Sequence, residues 1–252
     1  MDLNISGRRA LVTGASTGIG ASVSIALARE GVLLALSAQS MESLSKTAAA
    51  IEAEGFAKPT LIPASLIDAA DTIRLSQEAT YALGHIDILA NCAGGSRPTL
   101  LDADEAFWAE AFDLNFHAPR RLTHALLPTM QSNQWGRIIN ISGSMEPRSL
   151  NAAIAAKGAL HLWSKGVSCD VAKDGVTINC VAPGRINSPQ ILEKLYPDEA
   201  SRQNFIKENI PAGAFGDPED LACMVVFLCS PQAHYITGTV IPVNGGMHYF
   251  AH

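Results

Sequence analysis

The stretch Thr13-Gly14-Ala15-Ser16-Thr17-Gly18-Ile19-Gly20 decides the fold of this chain. It follows an apolar run at Arg8–Gly14 and opens a helical pattern that extends to about Glu30. Glycines in such a turn let the backbone approach a pyrophosphate, and the helix behind it offers N–H donors and the positive end of its dipole. The stretch therefore predicts a strand, a phosphate-binding turn and a helix, and an ordinary glycine-rich turn is the simpler alternative.

The rest of the chain repeats this alternation of strand and helix. Short apolar runs predict strands at Val32–Ser37, Thr60–Ala64, Ile86–Ala90, Arg137–Ser142, Val176–Val181 and Thr239–Val243. Longer patterns predict helices at Met41–Glu54, Asp68–Leu83, Ala103–Gln131 (kinked or interrupted near Pro119 and Pro128), Asn151–Ala172 and Pro218–Leu228. Continuous apolar strands are typical of a parallel sheet covered on both faces. We therefore predict an α/β single-domain Rossmann fold over residues 1–252, with a doubly wound parallel sheet of about seven strands and an irregular lid at residues 185–217.

Composition excludes several functional classes. The chain has 252 residues, of which 48% are hydrophobic and 17% charged, so it can bury a sizeable core. Its net charge of −6 argues against nucleic acid or an anionic membrane as partner. The five cysteines form no C-x-x-C pair, which argues against a disulfide framework or a metal site. We see neither a secretory signal nor an apolar run of about 20 residues. These features predict a cytoplasmic protein.

Several short motifs spread along the chain carry a family resemblance. They are Thr13-Gly14-x-x-x-Gly18-x-Gly20, Asn91-Cys92-Ala93-Gly94, Leu114-Asn115, Pro183-Gly184, Ile236-Thr237-Gly238 and Gly245-Gly246. Together they resemble the classical short-chain dehydrogenase/reductase family over essentially the whole chain, and the C-terminal half is most similar to acyl-carrier-protein ketoreductases. The resemblance implies an NAD(P)-dependent oxidoreductase that acts on a carbonyl or secondary alcohol and assembles as a homodimer or homotetramer. In that family the helix at Asn151–Ala172 commonly packs between subunits, and its Leu160, Trp163 and Val167 recur at helical spacing; an ordinary core helix is the alternative.

The resemblance also implies a set of cofactor-binding residues. They are Gly14, Ser16, Thr17, Gly18, Ile19, Gly20, Gln39, Ser65, Leu66, Asn91, Ala93, Gly94, Lys157, Pro183, Gly184 and Ile186. An acidic residue after the second strand selects NAD, whereas an arginine there pairs with the 2′-phosphate of NADP. The segment Ser37-Ala38-Gln39-Ser40 carries neither charge. It leaves both cofactors open and favours NADP slightly.

The catalytic motif departs from the family pattern. The resemblance identifies Lys157 as the family lysine and Asn115 as the family asparagine, but Ala153 stands four residues before Lys157, where the family has its tyrosine. Gly143 occupies the serine position, and the neighbouring Ser144 could take that role. We predict Asn115, Ser144 and Lys157 as catalytic residues. Because alanine has no proton to give, the reaction needs a non-standard proton donor.

Other side chains could replace the missing tyrosine. The candidates are Tyr196 in the lid, His161, His117, Glu146, and His248 and His252 in the tail. Each also has a structural interpretation, as packing, capping or a solvated charge. The function therefore keeps two alternatives: a lyase or isomerase that retains the cofactor, and a cofactor-binding protein without catalysis.

Three arginines follow strands at the end of the sheet where ligands bind in this architecture. They are Arg97, Arg148 and Arg185. We predict that at least one of them binds an anionic group, such as a carboxylate or phosphate, of a small-molecule substrate. Surface positions or subunit salt bridges are the alternative for each.

Overall fold

Seven parallel strands form one sheet in the order β3-β2-β1-β4-β5-β6-β7. The computed structural model describes residues 2–249. The strands are β1 (Arg9–Thr13), β2 (Leu33–Ala38), β3 (Thr60–Pro63), β4 (Ile88–Asn91), β5 (Gly136–Ile141), β6 (Val176–Pro183) and β7 (Val240–Val243). The predicted doubly wound parallel sheet is therefore confirmed.

The described residues form eight α-helices, most of which pack around the sheet. They are α1 (Gly18–Arg29), α2 (Met41–Ala53), α3 (Ala69–Leu83), α4 (Glu105–Phe112), α5 (Ala118–Ser132), α6 (Ala152–Val171), α7 (Glu199–Asn209) and α8 (Pro218–Leu228). Side chains alternate along each strand, so Val12 faces a core shared with α1 and α8, whereas Leu11 faces a core shared with α3 and α5. No helix within residues 2–249 is long and apolar enough to cross a membrane.

The order in which successive strands are added to the sheet reverses between β1 and β4. After β3, the chain crosses back to pair β4 with the free edge of β1, with Thr13 opposite Asn91. The chain leaves these two strands toward opposite faces of the sheet, which leaves a crevice between the two connections at the carboxyl ends of the strands. Ligands of open α/β sheets bind at this switch point.

The long helical pattern at Ala103–Gln131 divides into two helices. A π-helical turn at Asp113–His117 separates α4 from α5, and Pro119 follows it in the first turn of α5. The interruption predicted near Pro119 is therefore present. Near Pro128 the helix is not interrupted, since α5 runs through that residue to Ser132, and the predicted kink there stays a prediction.

The lid is more regular than its sequence suggests. Residues 185–217 contain a π-helical turn at Gln190–Leu195 and the helix α7, which Asp198 caps by accepting a hydrogen bond of 2.7 Å from Ser201 N. Both segments pack on a small apolar cluster built around Ile206, Ile210 and Phe215. The expectation of an irregular segment is therefore wrong, because this local core supports helical structure.

Candidate active site and cofactor cleft

A cleft of about 720 Å³ opens at the carboxyl ends of the strands. The turns after β1 to β6 all contribute to its wall, as the switch point requires. Most of the predicted binding and catalytic residues line it: Gly14, Ser16, Thr17, Gly18, Ile19, Gly20, Gln39, Leu66, Ala93, Gly94, Ser144, Lys157, Pro183, Gly184 and Ile186. Residues distant in the sequence are thus brought together on one surface.

Two glycines let the turn after β1 close on itself. Gly14 has φ of +63°, and a Cβ atom there would lie 2.7 Å from Ala93 N. A Cβ atom on Gly20 would collide with the carbonyl oxygen of Gly14. The first turn of α1 has no acidic residue, and Thr17 at its N-cap makes no side-chain capping bond. The N–H groups of this turn are therefore available to a phosphate.

The end of the cleft near β2 carries neutral polar groups. Gln39 and Ser40 line it beside Ala38, and both are exposed. Glu110 is the one carboxylate among the described lining residues, and it is bound to Arg97. No acid therefore stands after β2 to accept the ribose hydroxyls of NAD or to repel a 2′-phosphate.

Two predicted cofactor residues, Ser65 and Asn91, lie outside the described lining of the cleft. The backbone N of Ser65 donates to Asp71 Oδ2 at 2.5 Å, which holds that turn toward α3. Asn91 Nδ2 donates to Asn140 Oδ1 on the neighbouring strand at 2.8 Å. Both polar groups are thus engaged within the protein, and the adjoining Leu66 and Ala93 face the cleft instead.

Lys157 projects from α6 into the cleft between two glycines. Its Nζ donates to the carbonyl oxygen of Ser142 at 2.9 Å. A Cβ atom on Gly94 would lie 3.4 Å from this Nζ, and one on Gly143 would lie 3.2 Å from Cδ. Burial lowers the pKa of Lys157 to about 8. The ammonium can therefore lose its proton near neutral pH.

Ala153 lies one turn before Lys157 on the same face of α6, and both residues line the cleft. Its side chain is 2% exposed. None of the four tyrosines of the chain is among the described lining residues. No phenol therefore stands where Ala153 leaves a short side chain.

Ser144 supplies a hydroxyl to the same part of the cleft. Its Oγ accepts a hydrogen bond of 3.0 Å from Glu146 N, which leaves the hydroxyl proton for another acceptor. The hydroxyl of Ser142 instead donates to Val181 O at 3.3 Å, within the sheet. Of these two serines, Ser144 is therefore the one whose hydroxyl proton is not committed to the sheet.

Asn115 holds the cleft wall together. It lies in the π-helical turn and is 1% exposed. Its Oδ1 accepts from Gly95 N at 3.2 Å, and its Nδ2 donates to Ala111 O at 2.9 Å. Because both ends of the amide are engaged and the residue is not among the described lining, Asn115 positions the Gly94-Gly95 turn and makes no contact with the cleft itself.

The other candidate proton donors lie away from the described lining of the cleft. Tyr196 packs between Phe205 and Phe215, with ring centroids 5.0 and 5.6 Å away. Burial lowers the pKa of His161 to about 4 and also lowers the pKa of His117. Neither imidazole is therefore protonated at neutral pH.

The acidic candidate and the tail contact each other. Glu146 Oε2 accepts from Tyr249 N at 3.0 Å, and Oε1 lies 3.9 Å from His248 Nε2. The carboxylate of Glu146 is thus directed toward the tail. His252 lies outside the described residues.

The three loop arginines have different surroundings. Arg97 lines the cleft and pairs with Glu110 at 3.0 Å. Arg148 bonds to Asn209 and lies over the ring of Tyr249, outside the described lining. Arg185 lines the cleft with its guanidinium over two lid aromatics.

Sequence reasoning missed several lining residues, among them Ser96, Asn151, Ser188 and Met247. Asn151 caps α6 by accepting from Ala153 N and Ile154 N, and its Nδ2 donates to Ser96 Oγ at 2.9 Å. Asparagine directly before an alanine-rich helix is a recognisable N-cap signal. No local signal points to Met247, which the fold brings to the cleft from the far end of the chain.

The residues present fit a nicotinamide dinucleotide. The cradle at Gly14 and Gly20 is one that any larger side chain would fill, and the helix N-terminus above it suits a pyrophosphate. Lys157 and the Pro183-Gly184 turn line the same cleft beyond the switch point, where the nicotinamide half would extend. Within the described residues, no group of three His, Cys, Asp or Glu side chains could hold a metal ion.

Sequence comparison places these features among known reductases. The family model described as enoyl-(acyl carrier protein) reductase matches residues 14–248. A 3-oxoacyl-acyl-carrier-protein reductase, FabG of Vibrio cholerae, is 35% identical over 98% of this chain and 99% of its own length. Nodulation protein G of a Rhizobium species is 34% identical over 96% of this chain and 98% of its own length.

Solved structures agree with the fold. The L-sorbose reductase of Gluconobacter frateurii, complexed with NADPH and L-sorbose, superposes with a TM-score of 0.93 at 29% identity and covers 99% of this chain and 100% of its own. A 7α-hydroxysteroid dehydrogenase, complexed with NADH and 7-oxo glycochenodeoxycholic acid, gives 0.91 at 26% identity over 97% of this chain and 96% of its own.

Proposed function

Because the chain belongs to the classical short-chain dehydrogenase/reductase family, we propose that it is an NADP(H)-dependent oxidoreductase with a non-standard proton donor. It interconverts a carbonyl compound and a secondary alcohol, and Lys157 donates the proton that the family tyrosine would otherwise give. The observation that carries this proposal is the lysine ammonium beside Ala153, with its pKa lowered by burial to about 8.

The choice of NADP follows from the end of the cleft near β2. Gln39 and Ser40 offer hydrogen-bond donors there, and no carboxylate opposes a 2′-phosphate. Among the similar structures, the sorbose reductase holds NADPH, whereas the hydroxysteroid dehydrogenase holds NADH. The neutral polar groups near β2 favour NADPH over NADH for this chain.

The catalytic groups converge on the space above Ala153. A bound nicotinamide supplies the hydride in reduction and accepts it in oxidation. The hydroxyl of Ser144 donates a hydrogen bond to the substrate oxygen and orients it. As negative charge develops on that oxygen, Lys157 stabilises it and transfers a proton. The lysine becomes a neutral amine, which solvent reprotonates, so the proton balance closes.

The Ser142 carbonyl and the Asn115 amide support this chemistry indirectly. The carbonyl of Ser142 fixes the position of Nζ, and Asn115 fixes the Gly94-Gly95 turn that borders the lysine. A small displacement of a catalytic group lowers the reaction rate steeply, so we expect these two contacts to contribute to turnover.

A steady-state assay tests the proposal. NADPH oxidation is followed at its absorbance maximum against a panel of aldehydes, ketones and oxo acids. We expect turnover that Lys157→Met lowers by about 10²- to 10⁴-fold, while Lys165→Met on the exposed side of α6 leaves it unchanged. Ala153→Tyr should raise the rate, because it restores a phenol one turn before the lysine.

Three results would contradict this function. Tight NADPH binding without turnover of any carbonyl indicates a cofactor-binding protein. Substrate conversion without net change in NADPH indicates a lyase or isomerase. Turnover that Lys157→Met leaves intact removes the lysine from the role assigned to it.

A further inference from the structure

The cleft carries positive charge although the chain as a whole is acidic. The net charge of the chain is −6, yet the charged residues that line the cleft in the described structure are Arg97, Lys157 and Arg185 against Glu110 alone. A concave surface of one sign concentrates ligands of the opposite sign. The question is which of these cations is free to hold one.

Arg97 and Lys157 already have acceptors. Arg97 pairs with the carboxylate of Glu110 at 3.0 Å, and Lys157 donates to the carbonyl oxygen of Ser142. Arg185 differs from both. Its Nε is buried without a hydrogen-bond partner, and within the described structure it forms no salt bridge. The terminal Nη groups of the same guanidinium are not buried in this way and have no hydrogen-bond partner within the described structure, so they can donate to an anion in the cleft.

Two carboxylates lie at the start of α8, directly after Gly216, whose backbone N donates to Arg185 O, and both are engaged elsewhere. Asp217 accepts from Asn187 Nδ2 at 2.8 Å, and Asp220 accepts from the backbone N of Asp217 at 2.8 Å. These contacts hold the N-terminus of α8. They leave the charge of Arg185 uncompensated by either acid.

Two aromatic rings of the lid set the position of the Arg185 guanidinium. It lies 5.5 Å from the ring centroid of Tyr196 and 5.2 Å from that of Phe205. Cation–π contacts of this kind hold the group without using its N–H donors. The guanidinium is thus placed in advance, with its donors left for a planar anion.

We propose that Arg185 binds a carboxylate of the substrate, so that the enzyme acts on oxo acids and the corresponding hydroxy acids. This inference rests on the proposed function only in calling the ligand a substrate. Arg185 follows β6 and Lys157 faces the end of β5, and these strands are neighbours. One small molecule can therefore place its carbonyl above Ala153 and its carboxylate at Arg185.

A single guanidinium matches a carboxylate better than a phosphate monoester. It supplies one positive charge and a fork of N–H donors, which fits a planar monoanion. The cofactor pyrophosphate is also a poor match for Arg185. The glycine turn that would hold the pyrophosphate meets this segment at Ser188, where a Cβ atom on Gly18 would lie 3.3 Å from Ser188 Cβ, and not at the arginine. The guanidinium of Arg185 lies against the lid instead.

Calorimetric titration of the NADP⁺-saturated protein tests the inference. Acetoacetate is the first probe, methyl acetoacetate is its uncharged counterpart, and dihydroxyacetone phosphate tests for a phosphate site. We expect acetoacetate to bind more tightly than either. Arg185→Met should weaken its binding by about 10- to 100-fold, and Arg185→Lys should restore part of the loss. Arg148→Met is the matched control, because that arginine lies outside the described lining.

The outcomes separate this inference from the proposed function. Equal affinity for acetoacetate in the parent and Arg185→Met proteins overturns the carboxylate site, even if neutral ketones are reduced. Tighter binding of the phosphate probe overturns the choice of carboxylate. Loss of NADP⁺ affinity in Arg185→Met assigns the arginine to the cofactor and also overturns it. Carboxylate binding that depends on Arg185 without any turnover upholds the site and contradicts the oxidoreductase.

Discussion

At the scale of the residue, the central feature is a lysine that lines the cleft one helical turn after an alanine. Lys157 is enclosed by Gly94 and Gly143, and both glycines are close enough that a Cβ atom would touch its side chain. Ala153, one turn before the lysine, presents only a methyl group to the cleft, which Ile154 also lines. The ammonium is therefore open to a substrate oxygen.

The pH dependence of the reaction should follow Lys157. Its pKa of about 8 means that the ammonium dominates below that pH and the amine above it. Reduction needs the ammonium, so its kcat/KM should be level up to about pH 8 and then fall about tenfold per pH unit. Oxidation needs the amine and should rise up to the same pH. Rate profiles in both directions measure this, and a reduction profile that stays level to about pH 10 would rule the lysine out. Lys157→Arg should lower the rate as Lys157→Met does, because a guanidinium keeps its proton across this range and cannot transfer it.

The glycines of the cofactor turn give a second prediction. A Cβ atom on Gly20 collides with the Gly14 carbonyl, so Gly20→Ala must displace the turn and should weaken NADPH binding by more than about tenfold. Gly158 on α6 has no atom within 4 Å of the same hypothetical Cβ atom. Gly158→Ala should keep the affinity and stabilise the fold by about 0.5–1 kcal/mol. Fluorescence titration and urea unfolding measure the two effects, and equal affinities in both variants would contradict the cradle.

The family resemblance places Ala153 and Gly143 at the tyrosine and serine positions, counted from neighbouring motifs, and these assignments stay predictions. The resemblance could not predict what each side chain contacts. The sequence left Arg97, Arg148 and Arg185 equivalent, and only the fold pairs the first with Glu110 and the second with Asn209. Pairings between residues so far apart in sequence depend on tertiary packing.

At the scale of the element, the start of α6 decides how the catalytic residues are presented. Asn151 accepts from two backbone N–H groups of the helix and also from Arg97 N at 3.2 Å, and it donates to Ser96. One side chain thus joins the helix that carries Lys157 to the turn after β4. The helix start and the cleft wall are mechanically coupled.

Removing this cap should affect both stability and substrate binding. Asn151→Ala should lower the free energy of unfolding by about 1–2 kcal/mol and raise the KM for the carbonyl substrate, because the Ser96–Arg97 turn is released. Asp68→Ala is the control, since Asp68 caps α3 with two similar bonds and is not among the described lining residues. It should cost similar stability and leave KM unchanged. An equal rise in KM in Asn151→Ala and Asp68→Ala would contradict the coupling between the cap and the cleft wall.

Helix prediction failed where the physical signal is weak. In α7, Ile206 is the buried residue, so its polar sequence carries no apolar periodicity, and its stability comes from the lid cluster it joins. The π-helical turn at Asp113–His117 likewise has no signal in the sequence, because the apolar pattern continues through it. Such a turn adds a residue to the helix and is frequent at functional sites. Here it carries Asn115.

At the scale of the whole molecule, the parallel sheet could be predicted from the sequence, whereas the assembly stays a prediction. Apolar runs separated by helices require parallel pairing and right-handed crossovers, which leave few possible sheets. The sequence grouped Leu160, Trp163 and Val167 as one stripe of α6. In the structure, Leu160 is 1% exposed and the other two pack against the chain's own core, so these three side chains give no support for a subunit interface.

The proposed dimer or tetramer therefore depends on the outward face of α6. Leu162 on that face is 79% exposed, and Leu101 in the loop before α4 is 97% exposed. If copies of the chain pack through α6, Leu162→Glu should reduce the mass measured by sedimentation to that of a smaller assembly. Leu101→Glu should not change the mass. A monomeric parent protein would contradict the assembly, and an unchanged mass in Leu162→Glu would exclude this face.

The switch point between β1 and β4 also has a consequence for how the chain is made. The backbone N of Arg9 donates to Asp87, 78 residues further along the chain. During synthesis at about 5–20 residues per second, β1 waits for several seconds with one edge unpaired, because β4 has not yet left the ribosome. An apolar strand with an open edge is a template for wrong pairing. The site that binds the cofactor is therefore also the place where the nascent chain is most vulnerable to misfolding.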